Sequence, residues 1–235
     1  MADLYNFITS SVGKKFVSGF TGLSLILFLC VHLLGNLLLF AGPDAFNSYA
    51  HFLEHLGHGM LIYVAEAGLI LFFGLHIVSG TSVYLKKRRA RTQAYFKQGN
   101  AGGASRKTLA SRSMIVTGLV VLVFVILHVK MFKYGPAELV IVDGVEMKDL
   151  YGLVLYAFKE WWISLAYTAV MILLGLHLRH GVWSAFQSLG AANPRYMPLL
   201  QAGGLILAVL LAVGFALLPT CIFFFFETPA PTGGI

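Results

Sequence analysis

Four histidines carry the chemistry this sequence can do, and they come inside a repeat. Thr21-Gly22-Leu23, Phe28 and His32 recur at the same spacing as Thr117-Gly118-Leu119, Phe124 and His128. Gly74-Leu75-His76 with Gly80 recurs as Gly175-Leu176-His177 with Gly181. All four histidines lie in apolar stretches, where a neutral imidazole is costly unless something binds it. Two duplicated helix pairs, with one histidine on each helix, suit two metal cofactors held between imidazoles.

The elements that must position these histidines are membrane helices. Of the 235 residues, 58% are hydrophobic and 11% charged, and the mean hydropathy is +0.79. A soluble domain carries about a quarter charged residues. Five apolar spans, 16–40, 59–85, 113–133, 160–186 and 198–226, each reach the ~20 residues that cross hydrocarbon as a helix. Regular ten-residue alternating strands, the mark of an outer-membrane barrel, are absent. The sequence therefore predicts an all-α integral membrane protein, a single transmembrane domain over 1–235. Its five helices form a bundle in which helices I–II and III–IV are an internal repeat. Residues 227–235 read as a tail, with the Pro- and Gly-containing stretch from Thr228 to Ile235 expected to be poorly ordered.

Lys and Arg set the expected orientation. Lys86, Lys87, Arg88, Arg89, Arg91, Lys97, Arg106, Lys107 and Arg112 crowd the segment 86–112, which has no acidic residue. Lys14, Lys15 and Arg195 fall on the same side. Residues 41–58 hold Asp44 and Glu54 with no Lys or Arg, and 130–160 is mixed and slightly acidic. The positive-inside rule puts the N-terminus and the basic loop in the cytoplasm and the C-terminus outside. Topology accounts for the basic loop without nucleic acid. The first apolar span is too long for a cleavable signal peptide. Cys30 and Cys221 are isolated in apolar spans, make no C-x-x-C-H haem-attachment motif, and read as packing residues.

Helix rise gives the depth of each histidine. His32 and His128 lie ~24 Å from the inner face and His76 and His177 roughly 14 Å, two levels ~10 Å apart. Two axial imidazoles per level, without accompanying carboxylate or thiolate, suit low-spin haem b. A di-iron bundle would need Glu-x-x-His pairs, which these helices lack. His76 and His177 are thus the expected iron ligands of a proximal haem, His32 and His128 those of a distal one.

Several neighbours bear on the same sites. Gly80 and Gly181 stand one turn past their histidines, on almost the same helix face, where a missing side chain lets a flat macrocycle approach. Gly22 and Gly118 reach toward the inner level. For any one of these glycines alone, close helix packing would be explanation enough. Ser18 could bond a haem propionate or cap a helix carbonyl. Arg179 could neutralise propionates or snorkel. His180, a turn after His177, could be a substitute ligand, a propionate or quinone contact, or an interfacial residue.

The order of motifs resembles a known family. Gly13-Lys14-Lys15, Thr21-Gly22 and Val31-His32-Leu33-Leu34-Gly35-Asn36 are similar to the first helix of the single-subunit dihaem cytochrome b of succinate:quinone oxidoreductases. Ala45-Phe46-Asn47-Ser48 through Ala50-His51-Phe52 resembles that family's first outer loop. His177-x-x-x-Gly181-x-Trp183-Ser184 resembles its fourth helix. The resemblance covers about residues 11–200. It implies the membrane anchor of a succinate dehydrogenase or fumarate reductase in a bacterial cytoplasmic membrane. It also implies a flavoprotein (FAD) subunit and an iron–sulfur subunit docked on the basic cytoplasmic face, in a heterotrimer that could itself form oligomers. Electrons would pass from the iron–sulfur clusters to the proximal haem, the distal haem and a quinone, expected to be menaquinone. Some fumarate-reducing relatives have a Glu two residues before the fourth-helix ligand. Here Gly175 stands there, which speaks against that proton route. Two other readings compete: a b-type subunit of a formate dehydrogenase or hydrogenase, and a haemless scaffold or small transporter.

Glu66 is the one carboxylate well inside a span. A carboxylate in hydrocarbon reads first as functional, here as proton exchange with a quinone site or the outer face. A structural hydrogen bond to a neighbouring helix is the alternative. His51-Phe52-Leu53-Glu54-His55 matches the H-x-x-E-H pattern of inverted zinc proteases. With no surrounding domain, this segment and His58 read better as an amphipathic loop helix or a protonatable rim. Trp161, Trp162 and Tyr167 read as an aromatic belt, and helix V as packing with quinone or lipid contact.

Overall fold

A computed structural model describes residues 2–90, 109–191 and 193–227. In chain order the elements are α1 (Ala2–Thr9), α2 (Ser11–Asn36), a 3-10 turn (Leu37–Ala41), α3 (Pro43–His55), α4 (Met60–Arg89) and α5 (Leu109–Phe132). A hairpin of β1 (Leu139–Val142) and β2 (Val145–Lys148) follows, then α6 (Leu150–Lys159), α7 (Trp161–Ser188) and α8 (Met197–Phe225). Five helices are long and apolar enough to cross a membrane: Ser11–Ala41, α4, Ser113–Phe132 within α5, α7 and α8. They match the five expected spans to within a few residues, and the chain is an all-α membrane bundle. No more than a third of the most apolar window of any span is buried inside the protein. Most of these helix surfaces are apolar and outward-facing, as a lipid solvent requires. The expected tail from Thr228 to Ile235 and most of the basic loop, 91–108, lie outside the described residues.

The chain divides into two compact units. The first comprises Met1–Leu27, Gly68–Leu119 and Leu176–Val209; the second comprises Phe28–Ala67, Val120–Gly175 and Leu210–Ile235. Each long helix therefore contributes a segment to both.

Close helix approach holds the first unit. A Cβ at Gly19 would come within 3.1 Å of the Ala185 carbonyl oxygen, and one at Gly204 within 3.0 Å of Val182, so α2 and α8 both lie tight against α7. Without a hydrophobic force between helices in lipid, small residues at such crossings supply van der Waals contact.

In the second unit, segments outside the spans fold onto one another. Pro43 starts α3, its fixed φ suiting the first helical turn. Buried Asn47 on α3 donates its amide to Asp149 Oδ1 at 2.9 Å and accepts from the Tyr151 N–H at 2.8 Å. Asp149 also caps α6 by accepting from the Gly152 N–H at 2.9 Å. The hairpin turns on Asp143-Gly144, both at positive φ (50° and 79°), which a two-residue turn between twisted strands demands. Lys159, at the end of α6, donates to the Phe223 carbonyl of α8 at 3.1 Å, serving one of the acceptors a helix end leaves open. The hairpin and α6 were not among the expected elements. The helical reading of the 41–58 segment is realised as α3.

Candidate cofactor site

The four histidines meet in two pairs, one in each unit. In the first unit His76 of α4 faces His177 of α7, with ring centroids 6.4 Å apart and ring planes at 70°. His76 Nδ1 lies 3.2 Å from the Ser18 carbonyl oxygen and 3.5 Å from the Thr21 hydroxyl. His177 Nδ1 lies 3.1 Å from the Thr117 hydroxyl, and the ring also bonds the backbone of Met114. Met114 is the repeat counterpart of Ser18, three residues before the threonine, so the two halves of the repeat hold their histidines alike.

This arrangement fixes the tautomer. A carbonyl oxygen can only accept. Each buried threonine hydroxyl donates to its own helix, Thr21 to the Val17 carbonyl at 2.7 Å and Thr117 to the Ser113 carbonyl at 3.1 Å. At His76, with the Ser18 carbonyl beside it, Nδ1 then carries the imidazole proton, which leaves the Nε2 lone pair for a metal. The neighbouring glycines make room for the rings. A Cβ at Gly22 would stand 3.2 Å from His76 Cε1, and one at Gly118 3.3 Å from His177 Cε1. Both thus abut the first-unit pair, as their spacing suggested, but what fills the gap is imidazole.

In the second unit His32 of α2 faces His128 of α5, with centroids 5.8 Å apart and planes at 89°. Aromatic rings dominate this setting. Phe28 stacks on His32 at 5.3 Å and Phe124 on His128 at 5.6 Å, each one turn before its histidine, which is why the repeat keeps that phenylalanine. Phe215 of α8 lies 5.9 Å from His32. His128 Nδ1 is 3.4 Å from the Tyr167 hydroxyl.

Haem is the group this donor set fits. Two imidazoles that shared one metal ion through bonds of about 2 Å would have ring centres up to about 6 Å apart. The observed separations of 6.4 and 5.8 Å agree. A Cβ at Gly181 would meet nothing within 4 Å, and one at Gly80 only Ser18 Oγ at 3.8 Å. The helix face beside each first-unit histidine is therefore open to a flat group. Among the described residues no three His, Cys, Asp or Glu side chains converge on a metal position, and the four histidines come together as two pairs of imidazoles. His51 and His55 stack at 3.9 Å beside a shallow cleft against the hairpin.

The remaining candidates divide. Ser18 reaches the site through its carbonyl, which touches His76. Arg179 is exposed. His180 packs edge-on against Trp183 at 5.1 Å, and its buried Nδ1 has no hydrogen-bond partner among the described residues. Glu66 is ion-paired with Lys133, just past the end of α5, with both side chains partly exposed. Trp161 and Trp162 are exposed as a belt requires. Tyr167 is not a belt residue, because neighbouring rings enclose it and its hydroxyl points at His128. Thr21, Thr117, Lys133 and Tyr167 are site residues to which sequence reasoning gave no such role. For the threonines the signal was present, since each immediately precedes its repeat glycine.

Five apolar helices and two facing imidazole pairs define a helical membrane protein with two candidate cofactor positions. Comparison with protein-family models, with curated proteins and with solved structures gives no match for this chain.

Proposed function

We propose that this chain is the dihaem cytochrome b anchor of a succinate:menaquinone oxidoreductase, carrying electrons between an iron–sulfur subunit and a membrane quinone. The observation that carries the reading is the pairing itself: four helices, four histidines, two facing pairs at haem-ligand separation. The motif resemblance at 13–36, 45–52 and 177–184 supplies the choice of succinate chemistry, which would reside on the partners. When bound, haem supplies a one-electron couple at each pair, the chemistry an anchor needs between clusters and quinone.

The chain's own residues do the rest. The Ser18 carbonyl, with the Thr21 and Thr117 hydroxyls, orients His76 and His177 and holds the His76 Nδ1 proton. Phe28 and Phe124 keep water from His32 and His128. Glu66, with Lys133, places an ionisable pair where a quinone proton could be exchanged. The exposed Lys86-Lys87-Arg88-Arg89 run at the end of α4 offers a basic face to the soluble subunits and sets the N-terminus in the cytoplasm. In this reading the host membrane is the bacterial cytoplasmic membrane.

Purification with bound partners, followed by spectra in air and after succinate, tests the proposal. Two b-type haems, at least one reduced by succinate, are expected. Haems that respond to formate or hydrogen, and not to succinate, would assign the chain to another dehydrogenase.

A further inference from the structure

We propose that Tyr167 is a positioning residue for His128, accepting the imidazole Nδ1–H and so setting the reduction potential of the His32–His128 site. This inference rests on the haem reading above. Tyr167 lies on α7, whose own histidine belongs to the other pair. Its ring is caged by Phe124 at 4.9 Å, Phe158 at 5.0 Å, Phe132 at 6.0 Å and His128 at 6.1 Å between centroids. With the ring so enclosed, the hydroxyl has a fixed address, 3.4 Å from His128 Nδ1 and 3.8 Å from Met131 Sδ.

Polar accounting assigns the direction of both bonds. A histidine that ligates through Nε2 carries its proton on Nδ1 and can only donate there. The phenol oxygen therefore accepts from His128, and the phenol proton goes to the Met131 thioether, a weak acceptor that nonetheless occupies it. Each donor then has one acceptor. An acceptor at Nδ1 makes the imidazole a stronger donor to the iron and favours the oxidised state. At the other pair the same service to His76 comes from the backbone oxygen of Ser18, which no side-chain substitution removes. Tyr167 is thus a side chain through which one of the two sites can be tuned alone.

The repeat sharpens the assignment. Tyr167 stands ten residues before His177, and Glu66 ten residues before His76. The duplicated position carries a phenol in one half and a carboxylate in the other. The phenol bonds a histidine, and the carboxylate takes Lys133.

The test is a spectroscopic redox titration of the intact complex, with the second-unit haem identified as the one missing from His128→Ala. Tyr167→Phe should raise the potential of that haem alone, by about tenfold in its one-electron equilibrium constant, ~59 mV. Its low-spin electron paramagnetic resonance signal should move as the ring orientation loosens. Met131→Leu keeps the ring cage and should shift the same haem in the same direction by less; it carries the readout if the Phe variant fails to assemble. Unchanged potentials in the assembled variants, or equal shifts of both haems, would overturn the role of Tyr167 while leaving the ligands in place. A parent complex with no haem would instead overturn the haem reading, and this one with it.

Discussion

The two histidine pairs are built by different means. His76 and His177 sit in a polar clasp that the repeat writes twice: a carbonyl, a buried threonine and a glycine from one helix receive the histidine of another. His32 and His128 sit among rings, and the bond from Tyr167 serves only one of them. Duplication placed all four histidines, and it preserved the threonine beside each first-unit histidine and the phenylalanine stacked on each second-unit one. The position ten residues before His76 and His177 diverged, to Glu66 in one half and Tyr167 in the other. Two sites of one ligand type can in this way acquire different potentials.

Four substitutions would break or sharpen that contrast, from the largest effect to the smallest. His177→Ala should remove one of two haems, halving the haem content per chain, while the spectrum of the remaining haem persists. Gly181→Leu comes next. A Cβ there meets no described atom within 4 Å, so an apo helix bundle should accept the substitution, whereas a haem plane beside His177 should be displaced. Overpacking of about 1–3 kcal/mol predicts roughly tenfold or greater haem loss on dilution; full retention would remove Gly181 from the haem surroundings. Glu66→Gln should slow quinone turnover several-fold with both haems in place, and unchanged quinone kinetics would make the Lys133 pair structural only. Thr117→Val should keep both haems and lower thermal stability by about 1 kcal/mol, the worth of one hydrogen bond. A larger loss would mean that the threonine does more than orient His177.

Much of this was legible in the sequence because the bilayer simplifies the problem. A helix that spans hydrocarbon must be long and apolar, so five spans could be read to within a few residues. The histidines were legible for the same reason, since each is a polar exception in an apolar run. Pairing followed from the repeat. What lay outside the spans was harder. Asp143-Gly144 between Leu139–Val142 and Val145–Lys148 is a strong hairpin signal, yet it is short and sits in a mixed segment where composition says little. The Asn47–Asp149 clasp joins residues about a hundred positions apart, beyond any local pattern. Tyr167 was misread because a tyrosine near a span end, beside Trp161 and Trp162, looks like a belt residue. Only the rings of α5 and α6 around it reveal otherwise.

The most direct measurement is the haem content of the purified chain by pyridine haemochrome absorbance, taken with the reduced-minus-oxidised spectrum. The account predicts two b-type haems per chain, falling to one in either His76→Ala or His128→Ala. A folded, colourless chain, or a single haem that survives both substitutions, would contradict it.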